Sequence, residues 1–351
     1  MSRIRTILAL AAVIAVFAAA LVATDAVRKD DGGRCGRTTP ALVPQCGAWW
    51  GAYVPYDDEG SLTAPVYAFE EKIGRRLDLV YTYHDMSGNK VDGELLTPDE
   101  LELGRDRMLM IAWESTVWTR PHHAGWTERQ LGWRNIASGK YDASVIDPQA
   151  RRLKAYGKRV FFSFDQETDM RTREGAGSPE EFVAAYRHLH ERFERLGVDN
   201  VVWVWTVSGY LGNGNADRMR ALYPGDAYVD WIGMDQYNYY LCHRSPTWLD
   251  FAASQRPAYE WIRTRVSADK PVMLAEFATA PDPRDPARKR EWYAEIPRVA
   301  ASDLPGVRAY VHWNRAVPGP GCDLTVDSGP GLEGYRTAGR APYFHQPLPR
   351  R

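Results

Sequence analysis

Short apolar runs alternate along this chain with longer segments of helical period, and eight of them stand out: Trp49–Val54, Leu79–Tyr83, Arg107–Ala112, Val160–Phe164, Val201–Thr206, Trp231–Asp235, Val272–Ala275 and Val307–Trp313. Their near-continuous apolar character is what a parallel sheet buried on both faces demands. An antiparallel sheet with one wet face would show in-and-out alternation instead. Eight such strands with helices between them predict a single (β/α)8 TIM barrel, an α/β fold.

One helix is marked with particular clarity. Ser178 and Glu181 form a capping box, Pro179 suits the first helical position, and Phe182, Tyr186, Leu189, Phe193 and Leu196 make an apolar stripe. By contrast, residues 87–102 have a weak helical pattern. The interval from Trp113 to Ala155 is long and is expected to hold an extended loop. Within it, Glu114 to Trp133 carries Trp118, His122, His123, Trp126 and Trp133, expected as one wall of a cleft.

Before the barrel comes a different kind of sequence. Arg3 and Arg5 precede an uncharged run from Thr6 to Thr24, which reads as an export signal or an uncleaved membrane anchor over residues 1–26. Either way, positive charge ahead of the apolar run puts the body of the protein outside the cytoplasm. Residues 27–45 are rich in charge, Gly and Pro and read as a linker, leaving 46–346 for the barrel domain. Four cysteines fit an oxidising compartment; of their three connectivities, Cys35–Cys46 and Cys242–Cys322 are the preferred pairs.

Charge removes several classes of partner. With 44 Lys+Arg against 45 Asp+Glu there is no imbalance to favour nucleic acid or an anionic membrane, so membrane contact is expected only through the amino-terminal segment. A neutral substrate fits better. No Cys-x-x-Cys or clustered His-Cys spacing implies a metal, and the adjacent His122 and His123 read as loop histidines. Gly209-Tyr210-Leu211-Gly212-Asn213-Gly214 lacks the spacing and the lysine of a phosphate cradle, and no Gly-x-Ser-x-Gly is present. No cofactor is implied, and a monomer is expected.

The candidate chemistry rests on two glutamates. Glu167 follows the fourth predicted strand and Glu276 the seventh, nearly opposite one another around the barrel mouth. Carboxylates at the carboxyl ends of barrel strands are rigid yet open to substrate, and two facing one another are the minimal equipment for cutting a glycosidic bond, one as acid then base and one as nucleophile. The 13 Trp and 19 Tyr mostly fill the core, but several stand at strand ends, where flat rings can stack on sugars. Glu114, after the third strand, is the rival carboxylate.

Three segments resemble glycoside hydrolase family 26, the retaining β-mannanase and lichenase group among barrels with catalytic glutamates on strands four and seven. They are Trp50-Gly51-Ala52-Tyr53-Val54-Pro55, Asn135-Ile136-Ala137-Ser138-Gly139-Lys140-Tyr141-Asp142 and Tyr228-Val229-Asp230-Trp231-Ile232-Gly233-Met234-Asp235, and the match spans roughly Trp50 to Phe344. The resemblance implies Glu167 as acid/base, Glu276 as nucleophile and retention of anomeric configuration. It further implies that Tyr237 hydrogen-bonds the nucleophile, that Trp313 floors the reacting sugar's subsite and that Trp113 lines it.

Departures from the family pattern narrow the expectation. Gln166 stands where members have His before the acid/base, Thr168-Asp169-Met170 replaces Met-Asn-Gly after it, and Thr172 takes the place of a tryptophan. Gln166, expected to contact substrate, can donate a hydrogen bond but cannot take up a proton. The expected function is therefore retaining endo-hydrolysis of a β-linked polysaccharide, of mannan or β-glucan class. A non-catalytic carbohydrate-binding barrel and a transglycosylase remain as alternatives.

Overall fold

In the computed structural model, which describes residues 35–56, 60–88, 93–117, 129–170, 176–242 and 245–349, the first and last long strands of the chain lie side by side. Trp49–Tyr53 (β1) pairs in parallel with Val307–Trp313 (β8) and with Leu79–Asp85 (β2). Met108–Glu114 (β3), Val160–Phe164 (β4), Val201–Val207 (β5), Trp231–Asn238 (β6) and Val272–Thr279 (β7) close the ring in sequence order. The protein is a (β/α)8 barrel, with all eight predicted strands in place. His122, His123, Trp118 and Trp126 lie outside the described residues, as does the apolar amino-terminal run; among the described residues no helix is long and apolar enough to cross a membrane.

Side chains sort by strand parity. Trp49, Tyr81, Met110, Phe161, Val204, Trp231, Met273 and Val311 fill the barrel interior, while Trp50, Val80, Ile111, Phe162, Trp205, Ile232, Leu274 and Tyr310 face the helices. Such period-two partition is forced by the pleat, because successive Cβ atoms point to opposite faces. Both faces are apolar, which explains why the sequence shows runs rather than alternation.

The helical layer comprises Thr63–Ile73 (α1), Pro98–Leu103 (α2), Trp133–Ala137 (α3), Asp147–Tyr156 (α4), Pro179–Arg195 (α5), Asn215–Ala221 (α6), Phe251–Arg265 (α7), Ala287–Ala294 (α8), Ile296–Ser302 (α9) and Gly329–Gly339 (α10). On α5 the predicted capping box is formed: Ser178 Oγ accepts from the Glu181 N–H at 3.4 Å and Glu181 Oε2 from the Ser178 N–H at 3.1 Å. Phe182, Tyr186, Leu189 and Phe193 are its buried stripe. Burying each stabilises by roughly 1.5–3 kcal/mol.

Three features depart from the sequence reading. Five strands run past their predicted carboxyl ends, because the hydrogen-bond ladder continues where polar residues break the apolar pattern. The described residues between 113 and 155 hold more than an extended loop: Thr116–Val117 pairs with Arg129–Gln130, and α3, a π-helical turn at Asp142–Ile146 and α4 follow. Trp133 is no cleft wall. It is buried against Phe182 at 5.2 Å and donates Nε1 to Asp165 Oδ2 at 2.7 Å, so its indole serves packing instead.

Residues 35–45 fold across the amino-terminal end of the barrel. Leu42 is buried with the interior residues, and the indoles at the starts of β1 and β6 reach it: Trp49 Nε1 donates to the Leu42 carbonyl at 2.7 Å and Trp231 Nε1 to the Ala41 carbonyl at 2.6 Å. Both expected disulfides are formed, Cys35–Cys46 beside this plug and Cys242–Cys322 between the loops that follow β6 and β8.

Candidate active site

Strand β7 carries Glu276 within it rather than after it. Met273 and Ala275 face the interior, so simple alternation would send Glu276 out toward the helices. A register shift prevents this: Met234 pairs with Leu274 but Asp235 with Glu276, leaving an extra residue in β7. Such a bulge re-aims the following side chain. Glu276 therefore points into the mouth, where its two oxygens accept from two phenols, Tyr83 on β2 at 2.5 Å to Oε1 and Tyr237 on β6 to Oε2. Two charge-assisted donors orient a carboxylate and favour its ionised form. Burial, and then the Glu276 charge, push both phenols well above their usual range, so they remain donors.

Glu167 lies three residues beyond β4, half-buried, with a left-handed φ of 52°. Asp165 is also left-handed at 46°. Non-glycine residues hold this conformation only when their surroundings over-determine it, as they commonly do at functional sites. Here the constraint is visible. Asp165 accepts from Ser115 N at 2.7 Å, Ser115 Oγ at 2.5 Å and Trp133 Nε1 at 2.7 Å, while Gln166 donates Nε2 to Glu114. The consecutive pair at the end of β3 thus grips the consecutive pair before Glu167. The Glu167 N–H closes onto the Thr206 carbonyl of β5 at 3.2 Å. Burial pushes the Asp165 carboxyl up to about 6 despite its three donors.

Electrostatics tie the two glutamates into one cluster. Asp235, on the inner face of β6, is pushed far above the usual carboxylate range by burial first and then by Glu276 and Glu167. Neither of its oxygens has a hydrogen-bond partner in good geometry, although the nearby Glu276 backbone amide favours its charge slightly. Its neutral form is therefore favoured. Tyr239, raised by burial and then by Glu167 ahead of Glu276, has its ring stacked on Tyr237 at 4.9 Å.

Rings complete the cup. Trp313 of β8 stacks on Tyr53 at 5.8 Å and meets Tyr237 edge-on at 6.3 Å; Tyr53 in turn abuts Tyr83. Of the six site residues expected from sequence, Glu167, Glu276, Tyr237 and Trp313 come together at this mouth, whereas Gln166, expected to contact substrate, is buried on Glu114. Trp113 does not join them either. Its parity on β3 turns it to the helical layer, fully buried against Phe162, with Nε1 on the Asp85 carbonyl at 2.9 Å. Glu114, on the inner parity of β3, receives Gln166. Tyr53, Tyr83, Asp235 and Tyr239 were not singled out by the sequence reading. Counting parity forward from Tyr81 and from Trp231 would have found Tyr83 and Asp235.

The arrangement of one glutamate just after β4 and another on β7, with a phenol from β6 on the second, coincides with matches to known proteins. A family model for Glycosyl hydrolase family 26 matches residues 149–255. The likeness is to family 26. Endoglucanase H of Acetivibrio thermocellus is 29% identical over 286 residues, covering 78% of this chain and 28% of that relative, so the chain spans little more than a quarter of its length. Among solved structures, the family 26 domain of an endo-β-mannanase/endo-β-glucanase from Prevotella bryantii aligns with a TM-score of 0.57 and 14% identity over 85% of this chain and 90% of that one. A β-mannanase from a symbiotic protist of the termite Reticulitermes speratus, solved with a gluco-manno-oligosaccharide, aligns at 0.55 and 16% over 85% and 88%. At these identities the structural likeness establishes the shared fold of family 26.

Proposed function

We propose that this chain is an exported glycoside hydrolase, a retaining endo-β-glycosidase acting on a β-linked polysaccharide of the mannan or β-glucan class. The observation that carries the reading is the carboxylate of Glu276, aimed into the mouth by a strand bulge and held by the phenols of Tyr83 and Tyr237, with Glu167 acting on the same neighbours, Asp235, Tyr237 and Tyr239. An ionised, oriented carboxylate is what a glycosyl nucleophile requires. Glu276 attacks the anomeric carbon while Glu167 protonates the departing glycosidic oxygen, giving a glycosyl ester on Glu276. Glu167, now a base, takes a proton from water, which attacks the same carbon and releases a product of retained configuration. Trp313, backed by Tyr53, offers a ring face to the apolar side of the reacting sugar. The family 26 match and the names of the relatives support a β-glycan backbone. Two disulfides suit an oxidising compartment outside the cytoplasm.

Reducing-sugar release from mannan, glucomannan, mixed-linkage glucan, β-1,3-xylan and curdlan, measured for wild type beside Glu167→Ala and Glu276→Ala, tests the class and the substrate together. Activity on one polymer that both substitutions abolish is expected, with the β-anomer formed first by proton NMR. Equal activity in either variant refutes the role given to that residue.

A further inference from the structure

The loops after β4 and β5 each hold a large exposed side chain. Tyr210 is 45% exposed and Met170, three residues past Glu167, is 51% exposed, yet the backbone beneath both is tightly held. Asp169, itself only 4% exposed, accepts from Ser208 N at 3.0 Å, Ser208 Oγ at 2.5 Å and Asn215 Nδ2 at 2.8 Å. Asn215 Nδ2 also reaches the Tyr210 carbonyl at 2.9 Å and Met170 Sδ at 3.8 Å, so one amide ties the Met170 side chain to the backbone that carries Tyr210, and the two form a ledge. Arg218 binds the carbonyls of Thr168 and Asp169 at 3.2 and 3.1 Å.

The ring of Tyr210 is preset as well. A Cβ on Gly212 would lie 2.4 Å from its hydroxyl, so the glycine leaves the space the ring uses, and Asn213 Nδ2 donates to that hydroxyl at 3.1 Å. These contacts fix the two side chains without burying them, and large apolar groups left in water on a fixed support mark a binding surface. The ledge is continuous with the mouth, because the turn bearing Met170 closes onto the Glu167 carbonyl at 3.0 Å.

We propose that Tyr210 and Met170 form the platform for the leaving-group sugar, and for an acceptor sugar when the glycosyl ester is transferred rather than hydrolysed. The inference rests on Glu167 being the acid/base: that residue protonates the glycosidic oxygen, so the sugar departing with this oxygen lies on its side of the mouth. Tyr210 then presents its face to the apolar side of that sugar, with Met170 filling beside it. In transfer, an acceptor hydroxyl attacks the anomeric carbon, the bond to Glu276 breaks, and the hydroxyl proton goes to Glu167.

Wild type, Tyr210→Ala, Tyr210→Phe and Met170→Ala are inactivated with the 2,4-dinitrophenyl 2-deoxy-2-fluoro-β-glycosides of cellobiose and mannobiose, and reactivation is followed with and without added disaccharide. Tyr210→Ala is expected to lose about tenfold of the disaccharide-dependent rate and far less of the rate in buffer. Tyr210→Phe keeps the acceleration, and Tyr67→Ala, at an exposed ring on α1, alters neither rate. Equal acceleration in wild type and Tyr210→Ala overturns the platform. Failure of both reagents to label Glu276 overturns the nucleophile instead, and calorimetry then decides the platform: cellohexaose and mannohexaose are titrated into Glu276→Ala with and without Tyr210→Ala. About tenfold weaker binding in the double variant upholds it, and matched affinities overturn it.

Discussion

Tyr83 on β2 donates its phenol to Oε1 of Glu276 on β7 at 2.5 Å, joining residues 193 positions apart across the barrel mouth. Together with Tyr237 on the other oxygen, it leaves the carboxylate no rotational freedom without loss of a charge-assisted hydrogen bond.

Tyr83→Phe and Tyr237→Phe are each expected to lower kcat/KM by roughly tenfold to a hundredfold, the equivalent of about 1.5–3 kcal/mol for a hydrogen bond to a charged group. The double variant should lose more than either single one but less than their product, since the two donors hold one group. Steady-state kinetics on the polymer identified by the panel measures this; wild-type kcat/KM in Tyr83→Phe would show that Tyr83 plays no part.

Gln166 donates to Glu114 in a setting where both side chains are almost wholly buried. Gln166→Glu would set two carboxylates against each other there. It is expected to destabilise the fold by about 2–3 kcal/mol at pH 7 and by less near pH 4, where one of the pair can hold a proton. Urea unfolding at the two pH values tests it, and an equal loss at both would point to packing rather than charge.

Asp165 gives stability a pH dependence of definite sign. Its carboxyl lies at about 6 in the fold, against 3.8 for the free group, because burial disfavours the charge. Below pH 4 it is protonated whether the chain is folded or not, and no cost arises. Between 4 and 6 the unfolded chain releases the proton that the folded chain keeps, so stability falls as pH rises, by about 2–3 kcal/mol in all. Asp165→Asn should lack this fall, so the stability gap between wild type and variant should change between pH 4 and 7. Parallel unfolding curves across that range would refute it.

The Cys242–Cys322 bond closes a separation of 80 residues, and with Ala278, Ala280 and Leu324 it forms a small cluster against which Tyr237, Tyr239 and Trp313 pack. Replacing both cysteines by alanine is expected to cost about 2–4 kcal/mol of stability. It should also lower kcat/KM at temperatures where the variant is fully folded, because the aromatic wall loses its backing. Unaltered kcat/KM in the folded variant would confine the disulfide to a stabilising role.

The sequence by itself determined the barrel and the position of Glu167 and Glu276 on it. Strands buried on both faces must be apolar throughout, so β4 and β7 stand out as runs and the polar residues at their ends are conspicuous. It equally determined the capped helix α5, since Ser178, Pro179 and Glu181 act within one turn. Tertiary structure alone decided which way the side chains face. Trp113 and Glu114 are neighbours on β3, yet the pleat sends one to the helices and the other to the mouth. Glu276 would face the helices but for an extra residue in β7, which only its pairing with the neighbouring strands reveals. The partners of the site could not be read locally either, because Tyr83, Tyr237 and Glu276 meet through barrel closure. Nor could the hold on Glu167, whose left-handed backbone depends on Ser115 and Trp133 from distant segments. Local chemistry sets the elements, whereas contacts between remote residues exist only once the ring has closed.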